Sequence, residues 1–368
     1  TVVRTLKVGH QLTQGTIDSN ELWLDVTVRD GGRVIGRSGG LDAEGAVDPW
    51  SYFINAYVLD REGNRIDRRN AHEIHTTLYD HQIPPGAADV VHYRLQVPEG
   101  TPGPVTVEAA VRYRKFDTTY LRHFQGEDFA GNDLPVTTLA TDRVVFPVRG
   151  GVEAGPAPER GIPAWERWND YGIALLRKGR RGELRQAEAA FREVEALGRG
   201  DGALNLARVY LREGRLADAA AALERAGAHD PPPWPWVQAW LTARVNKERG
   251  FLDPAIADLE RVLATDFAEA RRRGFDFSRD YRVLNELGQT LVERAKRERG
   301  PARRADREAF LDRARETFAR VLELDPENVS AHFNLALIAA LTGDSESAAR
   351  HRQPLLRRIR LDQRPDRR

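Results

Sequence analysis

Up to about residue 150 the alternation of apolar and polar positions has a period of two. In "ELWLDVTVRD" (21–30) Leu22, Leu24, Val26 and Val28 fall on one side, and Trp23, Asp25 and Thr27 on the other. Asp30-Gly31-Gly32 then reads as a hairpin turn into "RVIGRSG". "SYFINAYVLD" (51–60) runs into the turn "REGN", and "DVVHYRLQVP" (89–98) runs into "EGTPGP". "PVTVEAAVRYRKF" (104–116), "DRVVFPV" (142–148) and the opening "VVRTLKV" complete a set of about seven strands. Short alternating runs with turn residues between them predict an antiparallel, Ig-like β-sandwich over residues 1–150.

From about residue 163 the period changes to 3.6. The bridge over 151–163 is rich in Gly and Pro and reads as a linker. Beyond it, over 164–362, a spaced pattern recurs in about five staggered copies. The clearest is "DGALNLARVYLREGRLADAAAALERAGAHDP" (201–231), with Leu206-Ala207, Tyr210, Gly214, Ala219, Leu223, Ala226 and Pro231. This is the spacing of the tetratricopeptide repeat, a 34-residue helix–turn–helix. Small Ala207 and Ala219 let two helices approach, Tyr210 and Leu223 fill the space beside them, and Pro231 stops the second helix. Other copies centre on Tyr171-Gly172, Gly250, Leu287-Gly288 and Leu335-Ala336, the fourth with a long charged insertion. The fold class expected is therefore a multidomain β + α chain: a sandwich, then an all-α solenoid, then a basic tail at 363–368.

A helix pair with one apolar face cannot bury it alone, and stacked pairs leave a surface lined by the first helix of each. On this register the surface carries Arg208, Arg212, Trp240, Arg244, Lys247, Asn285, Gln289 and Phe333. Aromatic and Arg side chains are typical interface anchors. These eight residues are the candidate partner-binding set, and the expected partner is a protein.

Composition narrows the chemistry. The 368 residues carry 56 basic against 55 acidic side chains, a net charge of +1, so charge gives no reason to expect nucleic acid as partner. Cysteine is absent, which removes disulfides, zinc–thiolate sites, iron–sulfur clusters and thiol catalysis. No apolar run is long enough to span a membrane, and no signal peptide is visible. The chain starts at Thr1 and has no Met, which reads as a mature product, a fragment or an inferred sequence. There is no G-x-S-x-G, P-loop, G-x-G-x-x-G after a strand, or H-E-x-x-H, and no catalytic residue is expected in this chain.

Six of nine histidines lie in the β half, at 10, 72, 75, 81, 92 and 123. His92 reads as an ordinary strand residue between Val91 and Tyr93. His81 precedes the rigid Pro84-Pro85-Gly86 turn, and His10 precedes a Gly-containing loop. The strings around them, "GHQLTQG…ELWLDVTVRD", "HQIPPGAADVVHYRL", "VRYRKFDTTYLRHF" and "FDFSRDYRVLNELGQTL", resemble the C-terminal, non-haem half of multihaem c-type cytochromes of the cytochrome c554-like kind. The haem-attachment motif C-x-x-C-H of that family is missing here. The resemblance implies a scaffold for an electron-transfer protein, with no haem bound covalently in this chain and any haem c upstream or on a partner chain. It also implies distal-ligand roles for His10 and His81, less strongly for His75 and His123, and a periplasmic or extracellular location. Two alternatives stay open: an interaction adaptor without a redox role, and a structural subunit that forms a homo-oligomer or filament.

Overall fold

The computed structural model describes residues 1–153, 155 and 161–362. Part of the expected linker (154, 156–160) and the basic tail at 363–368 lie outside the described residues. The strands are β1 (Val2–Arg4), β2 (Glu21–Asp30), β3 (Arg33–Ser38), β4 (Ala56–Leu59), β5 (Thr76–Asp80), β6 (Ala88–Val90), β7 (Val105–Arg114) and β8 (Thr137–Phe146), with helix α1 (Thr118–Gln125) between the last two. One antiparallel sheet has the order β3-β2-β7-β8, and β1-β6 and β4-β5 form two-stranded ribbons. Antiparallel sheets are thus present as expected. The Ig-like sandwich expected is not established: beside the four-stranded sheet the described residues form two-stranded ribbons and no second large sheet.

The alternation in β2 places Leu22, Leu24 and Val26 in a core with Ile54, Ile83, Val91 and Val111. The opposite side of β2 is not the solvated face that alternation predicts. Trp23 is buried, donates from Nε1 to the Gly39 carbonyl at 3.1 Å, and lies under the Arg114 guanidinium. Arg114 is fully buried and holds Glu21 through Nε and Nη2 at 2.9 and 2.5 Å. The loop at 39–50 and the α1 region cover this side: Thr118 and the Asn132 carbonyl reach Arg114, and Thr118 donates to the Gly45 carbonyl. Burial pushes the Glu21 carboxyl up to about 7 against the pull of Arg114.

Several strand expectations need correction. The predicted strand 89–98 ends at Val90, so His92 is not a strand residue. The predicted strand 51–60 is a corner: Tyr52 and Ile54 bond to Leu24 and Leu22 of β2, and the chain then leaves to form β4. Strand β5 was not anticipated. Helix α1 falls in "DTTYLRHF", for which no element was predicted, and Asp117 caps it by accepting from the Tyr120 N–H at 2.6 Å.

The helical region contains α2 (Ala164–Lys178), α3 (Arg181–Ala196), α4 (Gly200–Arg212), α5 (Leu216–Ala228), α6 (Pro235–Glu248), α7 (Leu252–Leu263), the short α8 (Ala268–Arg272), α9 (Tyr281–Arg297), α10 (Arg304–Leu324), α11 (Val329–Thr342) and α12 (Ser345–Asp362). Leaving α8 aside, these make five helix pairs among the described residues. Leu206, Ala207, Tyr210, Ala219, Leu223 and Ala226 are all buried, as the repeat spacing requires. Gly214 adopts a φ of +73° between α4 and α5, a left-handed turn that suits glycine. The charged insertion lengthens α10, which runs for 21 residues.

Two compact units divide the chain after Ala190. Within the first unit α2 packs on the β1–β6 ribbon. Arg4 contacts Glu166 and Asp170 at 2.5 and 2.8 Å. Arg177 donates to the Ala88 and Gln82 carbonyls, both at 2.8 Å. The second unit, from Phe191, has its own core around Leu259, Leu284, Leu291, Phe318, Val321 and Ile338.

Candidate functional site

In the second unit the first helices α6, α9 and α11 are tied to one another by polar side chains. Lys247 of α6 bonds Glu286 of α9 at 2.9 Å and lies 3.5 Å from Glu293. Asn285 of α9 donates to Asn328, the cap of α11, at 3.2 Å, and Gln289 donates to the Ser330 hydroxyl at 3.1 Å. Lys247, Asn285 and Gln289 therefore bridge neighbouring repeats. Their partners Glu286, Glu293, Asn328 and Ser330 were not singled out from the sequence, because a bond between repeats depends on the stacking offset.

The remaining candidates differ in character. Trp240 is half-buried, its ring packed on the helical core, and the exposed Arg244 guanidinium stands 5.9 Å from its centroid. Phe333 on α11 is 58% exposed, although an apolar ring gains nothing from water. On α4, Arg208 donates to Asn205 at 2.7 Å, and burial pulls its guanidinium below the ordinary value. Arg212, at the end of the same helix, is exposed. A further aromatic group went unnoticed: Trp234 and Trp236 stack at 4.9 Å, and Trp236 stacks on Phe267 at 4.7 Å. The string "PPPWPW" was its only trace in the sequence.

The histidines of the β region do not form a cluster, and no group of three or more metal-ligating side chains occurs among the described residues. His10 lies in the exposed loop after β1 with Nδ1 2.8 Å from the Gln11 carbonyl. His75 is exposed just before β5, and His123 is exposed on α1. His81 is stacked between Tyr52 and Tyr79 at 4.6 and 4.5 Å, with Nδ1 3.2 Å from the Phe53 carbonyl. A carbonyl can only accept, so Nδ1 carries a proton in both His10 and His81. Burial lowers the His81 pKa, which favours the neutral ring. His92 is exposed, its Nε2 3.4 Å from the Tyr171 hydroxyl of α2. No helix among the described residues is long and apolar enough to cross a membrane.

A family model described as "Tetratricopeptide repeat" matches residues 176–232 and 302–351. No curated protein matches the chain. Among solved structures, "Crystal structure of MamA protein" is 16% identical, covering 53% of this chain and 91% of its own, at a TM-score of 0.40. "MamA 41-end from Desulfovibrio magneticus RS-1" is 15% identical, covering 55% and 98%, at a TM-score of 0.41. "MamA RS-1 ArsTM double mutant" is 17% identical, covering 54% and 97%, at 0.42. The two matched stretches fall on helices α2–α5 and on α10–α12, where paired helices bury the small and aromatic positions of the repeat: this chain carries tetratricopeptide repeats.

Proposed function

We propose that the chain is a protein-interaction scaffold, and that the row of first helices in its second unit docks a segment of a partner protein. One observation carries this reading. Trp240 is seated on the core with Arg244 beside its ring, so an aromatic and a cationic anchor are ordered before any partner arrives. Exposed Phe333 offers a second apolar contact. Lys247, Asn285 and Gln289 are committed to bonds between repeats and hold the row together.

The test is the Trp240→Ala/Arg244→Ala double variant. Hot-spot anchors each cost about 2 kcal/mol or more when truncated, roughly thirtyfold in Kd. Partner association measured by calorimetry should therefore fall by at least that factor with helical circular dichroism unchanged. Unaltered association would remove the docking role from this row.

A redox reading also has one observation in its favour. His81 and His10 both hold Nδ1–H against a carbonyl, the orientation usual for an iron-ligating imidazole, and burial favours the neutral ring of His81. In that reading they cap haems carried outside this chain, in a periplasmic or extracellular protein. In the complete natural protein His81→Ala should convert one low-spin haem to high spin. A spectrum that does not change would end the redox reading.

A further inference from the structure

Helices α11 and α12 are joined by two histidines. His332 of α11 and His351 of α12 face each other with their Nδ1 atoms 3.0 Å apart. The ring centres are 5.3 Å apart, which is the nitrogen separation plus the two distances from ring centre to nitrogen. The nitrogens therefore meet head-on along one line, the geometry of a single shared proton. Nε2 of His332 lies 3.0 Å from the Pro326 carbonyl, which can only accept, so that nitrogen carries a proton. In the neutral pair Nδ1 of His332 is then the acceptor and Nδ1–H of His351 the donor. One added proton fits, because it goes to Nε2 of His351 and leaves the bond between the rings in place. A second does not, because it sets N–H against N–H on two cations at hydrogen-bond distance.

The bond lies on the face by which α11 receives α12. Ala331, Leu335 and Ile338 of α11 belong to the core shared with α9 and α10. His332, Ala336 and Ala339, spaced i, i+4 and i+7, are buried outside that core, and so is Ala348 of α12. Among the described residues no other side-chain hydrogen bond joins the two helices. Of the charged groups around the pair, Arg350 is on α12 and bonds Glu346 at 3.1 Å. The turn before α11 holds Glu327 and Asp325, the latter bonded to Asn328 at 3.0 Å. From α10, Arg315 acts on Asp344 at the head of α12, and α9 reaches the head of α11 through the uncharged Asn285. Burial, then His332 and Arg350, hold the His351 imidazole below its ordinary pKa of 6.5.

We propose that His332 and His351 form a pH-sensitive latch, which holds α12 on α11 near neutral pH and releases it when the pair must take up a second proton. The closed pair holds one added proton and the separated rings hold two. The stability given by the latch is therefore complete above about pH 6.5 and is lost as pH falls, and each further pH unit favours release about tenfold. Release uncovers the face of His332, Ala336 and Ala339 and loosens the helix pair that carries Phe333. The latch is independent of docking by the helix row and of any haem.

The test is amide hydrogen exchange of the full chain at pH 7.5 and pH 5, expressed as protection relative to an unstructured chain. The amides of α12 from Ala348 to Gln353 should lose at least about tenfold in protection at pH 5, while those of α9 and α10 change by less than about twofold. His351→Gln offers a neutral N–H to Nδ1 of His332 and cannot take a charge. In that variant the protection of α12 should change by less than about twofold between the two pH values. Three results would overturn the proposal: protection of α12 that does not depend on pH, an equal loss in His351→Gln, or a loss spread evenly over α9 to α12. The last would be general acid unfolding of the second unit.

Discussion

Arg114 shows what a single residue decides. In the sequence it is one polar position in "VRYRKF"; in the fold its guanidinium has no solvent access, pairs with Glu21 and lies over the Trp23 ring. A buried charge that loses its partner costs about 3–5 kcal/mol. The carboxyl of Glu21 already titrates high in the fold, at about 7, because burial outweighs Arg114. A folded-state pKa above the unfolded one means that the folded chain holds the extra proton. The stability this confers is complete below about pH 4.5 and is lost as pH rises through 7. Arg114→Met removes the one strong pull in the other direction and raises Glu21 further. The variant should therefore lose about 3–5 kcal/mol at pH 8 and much less at pH 5, read by urea unfolding of the first unit. Glu21→Leu/Arg114→Met should recover most of the loss, and an equal cost at both pH values would contradict this account. None of it was legible in the alternation of β2, which shows that Glu21 and Trp23 share a side but not that a loop and α1 cover that side.

At the scale of elements, the repeats were the most legible part, because their small residues sit where helix backbones meet. Gly202 of α4 has the Glu195 N and the Phe191 O of α3 at 2.3 and 2.6 Å from where a Cβ would stand. Gly182 of α3 has nothing within 4 Å. Gly202→Ala should therefore lower stability by about 1–3 kcal/mol through overpacking. Gly182→Ala should raise it by up to about 1 kcal/mol through helix propensity. Thermal unfolding followed by circular dichroism separates the two, and a pair of shifts of the same sign would argue against the close approach of α3 and α4. Helix α1 was legible in principle: Asp117 three residues before Tyr120 is an N-cap pattern, masked by the alternation of β7 just before it. Strand β5, "TTLYD", carries the β-branched residues of a strand, but it is short and follows the single turn at Ala71–Glu73.

For the molecule as a whole, the sequence by itself determined that strands give way to paired helices near residue 163, because the apolar period changes from 2 to 3.6 and does not depend on what packs where. It also determined the repeat type, since 34-residue spacing is a property of one helix pair and its neighbour. Tertiary structure alone decided that α2 packs on the β1–β6 ribbon, where Arg4 bonds residues more than 160 positions away. It also decided which candidates in the helix row are structural, because Lys247, Asn285 and Gln289 meet partners on the next first helix only once the repeats are stacked. The early end at Val90 of the strand predicted over 89–98 has the same origin. An alternating stretch announces a strand, but whether a neighbour is present to satisfy its N–H and C=O groups is a property of the assembled sheet.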